Sequence, residues 1–254
     1  MLKALYNEKD ILSYIGEIDK NKEYICPHCK EKVIFVDAIF KIKHFRHYSF
    51  SNCETEPETE KHLEMKQFLI DKLKLNPNQI EVDLGFAKPD LFLEEEKITI
   101  EMQHSPISFL EFIERTQNYS YNGFSVLWIF DIDLLNIKEI KIIKDEEGKL
   151  VSTHLQHPEG ISESIAYYPE FIKSAHKLYY GRVYFYYKNQ IIPIHFQSYG
   201  RIMADQYGIS YFKYYKNRKI INFGKIITNF SFLKIQNNLY KLARFYDKKF
   251  WETN

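Results

Sequence analysis

Two short stretches place acids where a divalent ion could be gathered: Lys88-Pro89-Asp90, and Glu101-Met102-Gln103 beyond an acidic turn, Glu94-Glu95-Glu96-Lys97. The runs Leu91-Phe92-Leu93 and Ile98-Thr99-Ile100 that flank the turn are short and apolar. Their spacing predicts two strands joined by a tight turn, with Asp90 and Glu101 brought to one end of a sheet. Side chains alternate faces along a strand, which puts Glu101 and Gln103 on one face and Ile100 and Met102 on the other. Two carboxylates on adjacent strands can chelate a hard ion such as Mg2+ or Mn2+, which polarises a phosphodiester and acidifies an attacking water. The chemistry expected of the pair is hydrolysis of a nucleic-acid backbone. The plain alternative is an exposed hairpin with ordinary surface acids.

The elements around the hairpin must position it. Upstream, residues 59–73 read as an amphipathic helix with Leu63, Gln67, Ile70, Leu69 and Leu73 on its apolar side. Glu60, His62 and Lys66 stand near its start, where a helix-borne Glu could join two strand acids; a solvated helix face is the alternative for all three. Downstream, Ser108 with Glu111 forms a capping-box pattern for a helix that places Phe109, Phe112 and Ile113 on one face, and Gly123 ends it. Arg115, Gln117 and Tyr121 lie on its later turns. Residues 124–131 are a nearly continuous apolar run of the kind expected for a buried strand. Strand, turn, strand, helix, strand is the order of a restriction-endonuclease-like core.

Five pieces in order carry a resemblance: Cys26-Pro27-x-Cys29; His44-Phe45-Arg46-His47; Glu60-x-His62-x-x-x-Lys66; Pro89-Asp90 with Glu101-x-Gln103-x-Ser105; and 115–121 with Trp128-Ile129 behind it. On these the chain, over about residues 20 to 131, resembles the CoiA family of competence proteins, bacterial cytosolic proteins linked to natural transformation. The resemblance implies a PD-(D/E)xK nuclease-like core and a zinc-ribbon-like N-terminal module. It also implies action on incoming single-stranded DNA alongside recombination proteins. Matched residue by residue, it makes Asp90 and Glu101 metal ligands, Glu60 the helix acid, and Gln103 the residue at the usual lysine position. Glutamine offers a hydrogen bond but no positive charge there, and Lys66 could supply that charge from the helix. Gln117-x-x-x-Tyr121 is similar to a Q-x-x-x-Y helix of RecB-like nucleases.

The cysteines point to a second site. Three cysteines in a chain whose first residues lack the apolar core of a secretory leader, and which has no run long enough to span a membrane, predict a reducing, cytoplasmic setting rather than a disulfide framework. Cys26-x-x-Cys29 is a knuckle, His44-x-x-His47 follows, and Cys53 comes soon after. A structural Zn2+ takes four ligands in a tetrahedron. The expected set is Cys26, Cys29, His47 and Cys53, with His44 as the alternate ligand.

Composition separates the two ends of the chain. The net charge is +1, yet residues 161–254 hold 15 Lys and Arg against 5 Asp and Glu. Runs there interleave rings with cations, as in Tyr211-Phe212-Lys213-Tyr214-Tyr215-Lys216-Asn217-Arg218-Lys219. Bases stack on rings while cations track phosphates, so Lys216, Arg218 and Lys219 are candidate contacts to single-stranded DNA; core-facing strand residues are the alternative for the rings. The expected organisation is α/β: a zinc-binding module over 1–57, a nuclease-like core with a mixed sheet flanked by helices over 58–150, and a basic, aromatic-rich α+β region over 151–254. Within the last, residues 152–160 read as a loop, 161–178 as a helix, and 233–251 as a closing helix. Two functions are open, a metal-dependent DNA nuclease and a catalytically weak DNA-binding accessory protein.

Overall fold

The computed structural model describes residues 1–37, 42–48, 53, 58–137, 139–144, 150–156, 165–236 and 240–246. They divide into two compact units, Met1–Met102 and Gln103–Asn254.

In the first unit, β1 (Lys3–Tyr6), β2 (Lys9–Leu12), β3 (Tyr24–Ile25), β4 (Lys32–Val36) and β5 (His44–His47) form an antiparallel sheet in the order β2-β1-β3-β4-β5. Ala4, Tyr24, Cys26, Val33 and Phe45 make its core. The knuckle between β3 and β4 is closed by its own backbone. The Cys26 amide donates to Glu31 O at 2.8 Å, and Lys30, left-handed at φ 62°, donates to Cys26 O at 3.1 Å. Helix α1 (Glu60–Leu73) starts at Thr59, whose hydroxyl accepts the His62 amide, and stops at left-handed Lys74. It buries Leu63, Met65, Lys66, Phe68, Leu69 and Ile70. Gln67, expected on the apolar stripe, is half-buried and donates to Asp71 at 2.8 Å. A single 3-10 turn, Pro77–Gln79, leads to Ile80 and Glu81, and then β6 (Leu91–Leu93) pairs antiparallel with β7 (Ile98–Gln103), Leu91 opposite Ile100.

The second unit contains α2 (Phe109–Tyr121), β8 (Ser125–Asp131), β9 (Glu139–Lys144), β10 (Leu150–Gln156), β11 (Ile165–Tyr167), α3 (Glu170–Leu178), β12 (Val183–Tyr186), β13 (Ile191–Ala204), β14 (Ser210–Phe223), β15 (Ser231–Gln236) and β16 (Lys241–Tyr246). Seven strands of this unit lie side by side in the order β11-β14-β13-β12-β8-β16-β15. The pairings of β8 with β12 and β16 are parallel and the others antiparallel, so the sheet is mixed. Every residue of β8 is buried, as its apolar run predicts. Between its short pairings, β8 is completed by a side chain: the Tyr179 hydroxyl accepts the Trp128 amide at 2.8 Å and donates to Val126 O at 3.0 Å. On α2, Phe112, Thr116 and Tyr119 are buried while Phe109 is exposed, so the packed stripe runs one position away from the expected one.

Three readings of the C-terminal region are corrected. Residues 152–156, expected in a loop, belong to β10, which pairs antiparallel with β9. The helix expected over 161–178 is confined to α3, because Pro169 can enter a helix only at its start, and residues 165–167 form β11 instead. The helix expected over 233–251 is a hairpin, β15 with β16, in its described part; residues 247–251 lie outside the described residues.

Candidate functional site

An acid–base cluster forms where the start of α1 meets the β6–β7 hairpin. Thr59 caps the helix; His62 and Lys66 stand one turn apart on it, and Glu58, just before the cap, folds back to meet both. Asp90 enters from the residue before β6. His62 Nε2 lies 3.1 Å from Asp90 Oδ2, and His62 Nδ1 lies 3.6 Å from Glu58 Oε1. The same Asp90 oxygen accepts the Met102 amide at 2.8 Å. Donor atoms of Glu58, His62 and Asp90 all fall within 4.8 Å of one another.

Lys66 is 1% exposed and sits among three carboxylates. Its ammonium donates to Glu58, lies 2.5 Å from Glu81 Oε1, and approaches Asp90 Oδ1 at 3.7 Å. Glu81 reaches the cluster through a left-handed backbone (φ 49°); its Oε1 also accepts the Leu2 amide at 3.1 Å. The Met1 ammonium lies 2.7 Å from Glu58 Oε2.

The electrostatics follow from this packing. Burial works against each charge, but the cluster overrides it. Lys66 is held above its ordinary pKa by Glu58, Glu81 and Asp90. Glu58 is brought down to about 2 against the effect of burial, mainly by Lys66. Asp90 is held well below the carboxylate range by His62 and Lys66, against burial. Burial lowers His62, but Asp90 outweighs it and raises the imidazole above its usual value. The alternative of a solvated helix face therefore fails at Lys66. An ammonium that deep requires its carboxylates.

The other candidates have separate environments. Glu60 is exposed at the first turn of α1 and is not one of the three converging donors. Glu101 is buried on β7, one position from the Leu91–Ile100 pair, and also stands outside that set of three. Gln103 turns to the end of its own strand, its amide donating to Ser105 O at 2.8 Å and to Ser105 Oγ at 3.2 Å. On α2, the Arg115 guanidinium lies over the Trp128 ring at 4.8 Å and 3.7 Å from Glu111. Gln117 Nε2 donates to the Tyr240 hydroxyl at 3.3 Å, and Tyr121 is exposed. Lys216 and Arg218 are exposed on β14, and Lys219 lies 5.6 Å from the Tyr168 ring.

The cysteine cluster takes the expected set. Cys26, Cys29, His47 and Cys53 place one donor atom each within 4.8 Å of one another, and Cys29 Sγ is 3.2 Å from His47 Nε2. Strand β5 alternates His44 and His47 in environment: His44 Nδ1 bonds Ile42 O at 2.8 Å instead of joining the cluster. Burial, with the neighbouring Cys53 and Cys26 thiols, pushes Cys29 up to about 11. Three sulfurs and an imidazole on a closed knuckle fit a tetrahedral metal ion.

Glu58 and Glu81 escape a reading by motif. The first lies before the extended cap Thr59, where helix phase gives no guide. Nothing in the local sequence announces the second, since it depends on a left-handed residue after an unpatterned turn.

A family model described as "Competence protein CoiA, nuclease-like domain" matches residues 58–207. A second, "Competence protein CoiA, N-terminal domain", matches residues 9–56. No curated protein and no solved structure matches the chain. Among the described residues, no helix is long and apolar enough to cross a membrane.

Proposed function

Since the chain belongs to the CoiA family of competence proteins, we propose that it is a Mg2+- or Mn2+-dependent phosphodiesterase acting on single-stranded or branched DNA during uptake or recombination. The observation that carries this reading is the convergence of Glu58, His62 and Asp90 beside a buried lysine, inside the segment matched by the nuclease-like model. A divalent ion held by Glu58 and Asp90, with His62 and Glu101 as further donors, would polarise the phosphodiester and acidify a bound water. The side chains do the rest. Asp90 and His62 fix one another, the Lys66 ammonium gathers Glu58, Glu81 and Asp90, and Gln103 closes the end of β7. The restriction-endonuclease-like core is the fold this reading implies. The Cys26, Cys29, His47 and Cys53 set is assigned to structural Zn2+.

The reading is tested by cleavage of labelled single-stranded and branched DNA with Mg2+ or Mn2+. Cleavage is expected, and is lost in Asp90→Asn with folding retained; unchanged cleavage in that variant removes the assignment. A second reading, a DNA-binding accessory protein without catalysis, is favoured by Lys66, which already stands among the carboxylates, and by Gln103, whose amide is committed to Ser105. It predicts salt-sensitive DNA binding with no cleavage under any divalent ion.

A further inference from the structure

Resting on the nucleic-acid reading above, we infer that the distal half of the β13–β14 hairpin is an arm that stacks the bases of single-stranded nucleic acid. Phe212 and Tyr214 serve as platforms, and Lys216 and Arg218 hold the phosphates behind them.

Residues 202–214 are exposed on both faces of the hairpin. A two-stranded ribbon without a packed face gains little from apolar side chains. Yet seven of the sixteen large hydrophobic side chains exposed among the described residues fall here, including Ile202 at 73%, Tyr207 at 79% and Tyr214 at 69% exposure. The arm is built to hold its shape. Its turn is closed by Asp205, whose carboxylate accepts the Tyr207 and Ile209 amides at 2.9 and 2.8 Å, with Gly208 left-handed at φ 79°.

The register sorts the side chains into a pattern. Ile202 pairs with Phe212 and Gly200 with Tyr214, so Ile202, Phe212 and Tyr214 share one face; the register shifts just beyond, where Lys216 and Arg218 stand exposed on β14. Along β14 the two ring-bearing residues stand about 6.8 Å apart toward the tip, and the cations follow toward the root, past the register shift. The Phe212 ring lies over the bare backbone of Gly200, where any Cβ would collide with it. It meets Tyr214 edge-on at 4.7 Å between centroids.

Charge names the occupant. From residue 206 to residue 246 the chain has eight Lys and Arg and no Asp or Glu, and the acid at the turn is engaged by backbone amides. Such a segment complements a polyanion. Exposed rings beside exposed cations suit a polyanion that also presents flat apolar faces. A single strand does so, whereas a duplex keeps its bases stacked inside.

The test measures binding of the full chain to labelled oligo-dT, oligo-rU and a duplex of equal length, by anisotropy without divalent ions. Phe212→Ser with Tyr214→Ser is expected to weaken single-strand binding by at least about tenfold, as loss of two stacking contacts should, and to leave duplex binding within about twofold. Lys216→Glu with Arg218→Glu should weaken both and flatten the salt dependence. Comparing oligo-dT with oligo-rU tells DNA from RNA as the strand held. Unchanged single-strand affinity in the ring variant, with wild-type binding intact, overturns the arm and leaves the nuclease reading standing. So does loss of self-association by that variant in sedimentation with affinity unchanged, which would make the rings a surface between copies. Absence of any binding by the wild type overturns both readings.

Discussion

His62 Nε2 lies 3.1 Å from Asp90 Oδ2, joining a helix to a strand hairpin across 28 residues of chain. That carboxylate oxygen also accepts the Met102 amide, so the protein itself engages Oδ2 fully. The other oxygen, Oδ1, lies 3.7 Å from the Lys66 ammonium. Asp90 is thereby oriented before any ion arrives, which is the arrangement that electrostatic catalysis favours.

Glu58, not Glu60, is expected to govern the affinity of the cluster for a divalent ion. Glu58→Gln should weaken Mn2+ binding at least about tenfold in calorimetry, with cleavage falling in parallel, whereas Glu60→Gln should stay close to wild type. Equal losses in the two variants would place the helix acid elsewhere.

Removing the buried ammonium should expose the cost of its partners. Lys66→Ala leaves Glu58, Glu81 and Asp90 facing one another and is expected to destabilise metal-free protein by about 3–5 kcal/mol in urea unfolding. Added Mn2+ should restore part of this, since an ion that binds only the folded state stabilises it. The same pairing sets an acid limit. Glu58, normally near 4.5, is held at about 2, so its contribution is present above the ordinary value and is lost as pH falls toward 2.

The knuckle module should carry one tightly held zinc per chain, measured by elemental analysis after dialysis. Cys26→Ser, Cys29→Ser, Cys53→Ser and His47→Ala are each expected to lower that content, while His44→Ala retains it, because His44 is turned to Ile42 O. With Cys29 near 11 in the absence of metal, binding must displace its proton, and zinc affinity should fall as pH is lowered.

A pH effect of opposite origin is expected in the second unit. His176 Nδ1 and the Tyr168 hydroxyl share a hydrogen bond at 2.6 Å, and the ring packs among Tyr168, His195 and Phe196. Burial, then the nearby His195, lowers its pKa to about 4. Between its usual value of 6.5 and about 4 the unfolded chain binds the proton more readily, so stability contributed by neutral His176 is lost as pH falls through that window. Melting temperature should decline from pH 7 to pH 4 more steeply in the wild type than in His176→Gln. Parallel declines would remove the assignment.

The strand hairpin carrying Asp90 was legible because alternation, an acidic turn and a proline all agree locally. The cysteine set was legible for the same reason, its spacing being short-range. Glu58 was hidden by the neighbouring Glu60, because it lies before the extended cap Thr59, where helix phase gives no guide, and turns back onto His62 and Lys66. Lys66 shows the limit of residue type as a guide to burial, since three distant carboxylates decide it. In β15 and β16 good helix formers such as Leu233, Lys234, Leu242 and Ala243 lie in strands. The sheet buries Leu242, Ala243 and Phe245, and that packing outweighs propensity.

Gly200 would behave deceptively in a genetic screen. It presents no side chain to a ligand, yet alanine there would evict the Phe212 ring from the backbone it covers. The added methyl would also meet the Lys213 carbonyl oxygen at 2.8 Å, so a displaced strand would be classed with the loss of a direct contact. The orientation of an aromatic surface is thus inherited through an atom that is missing from the opposite strand.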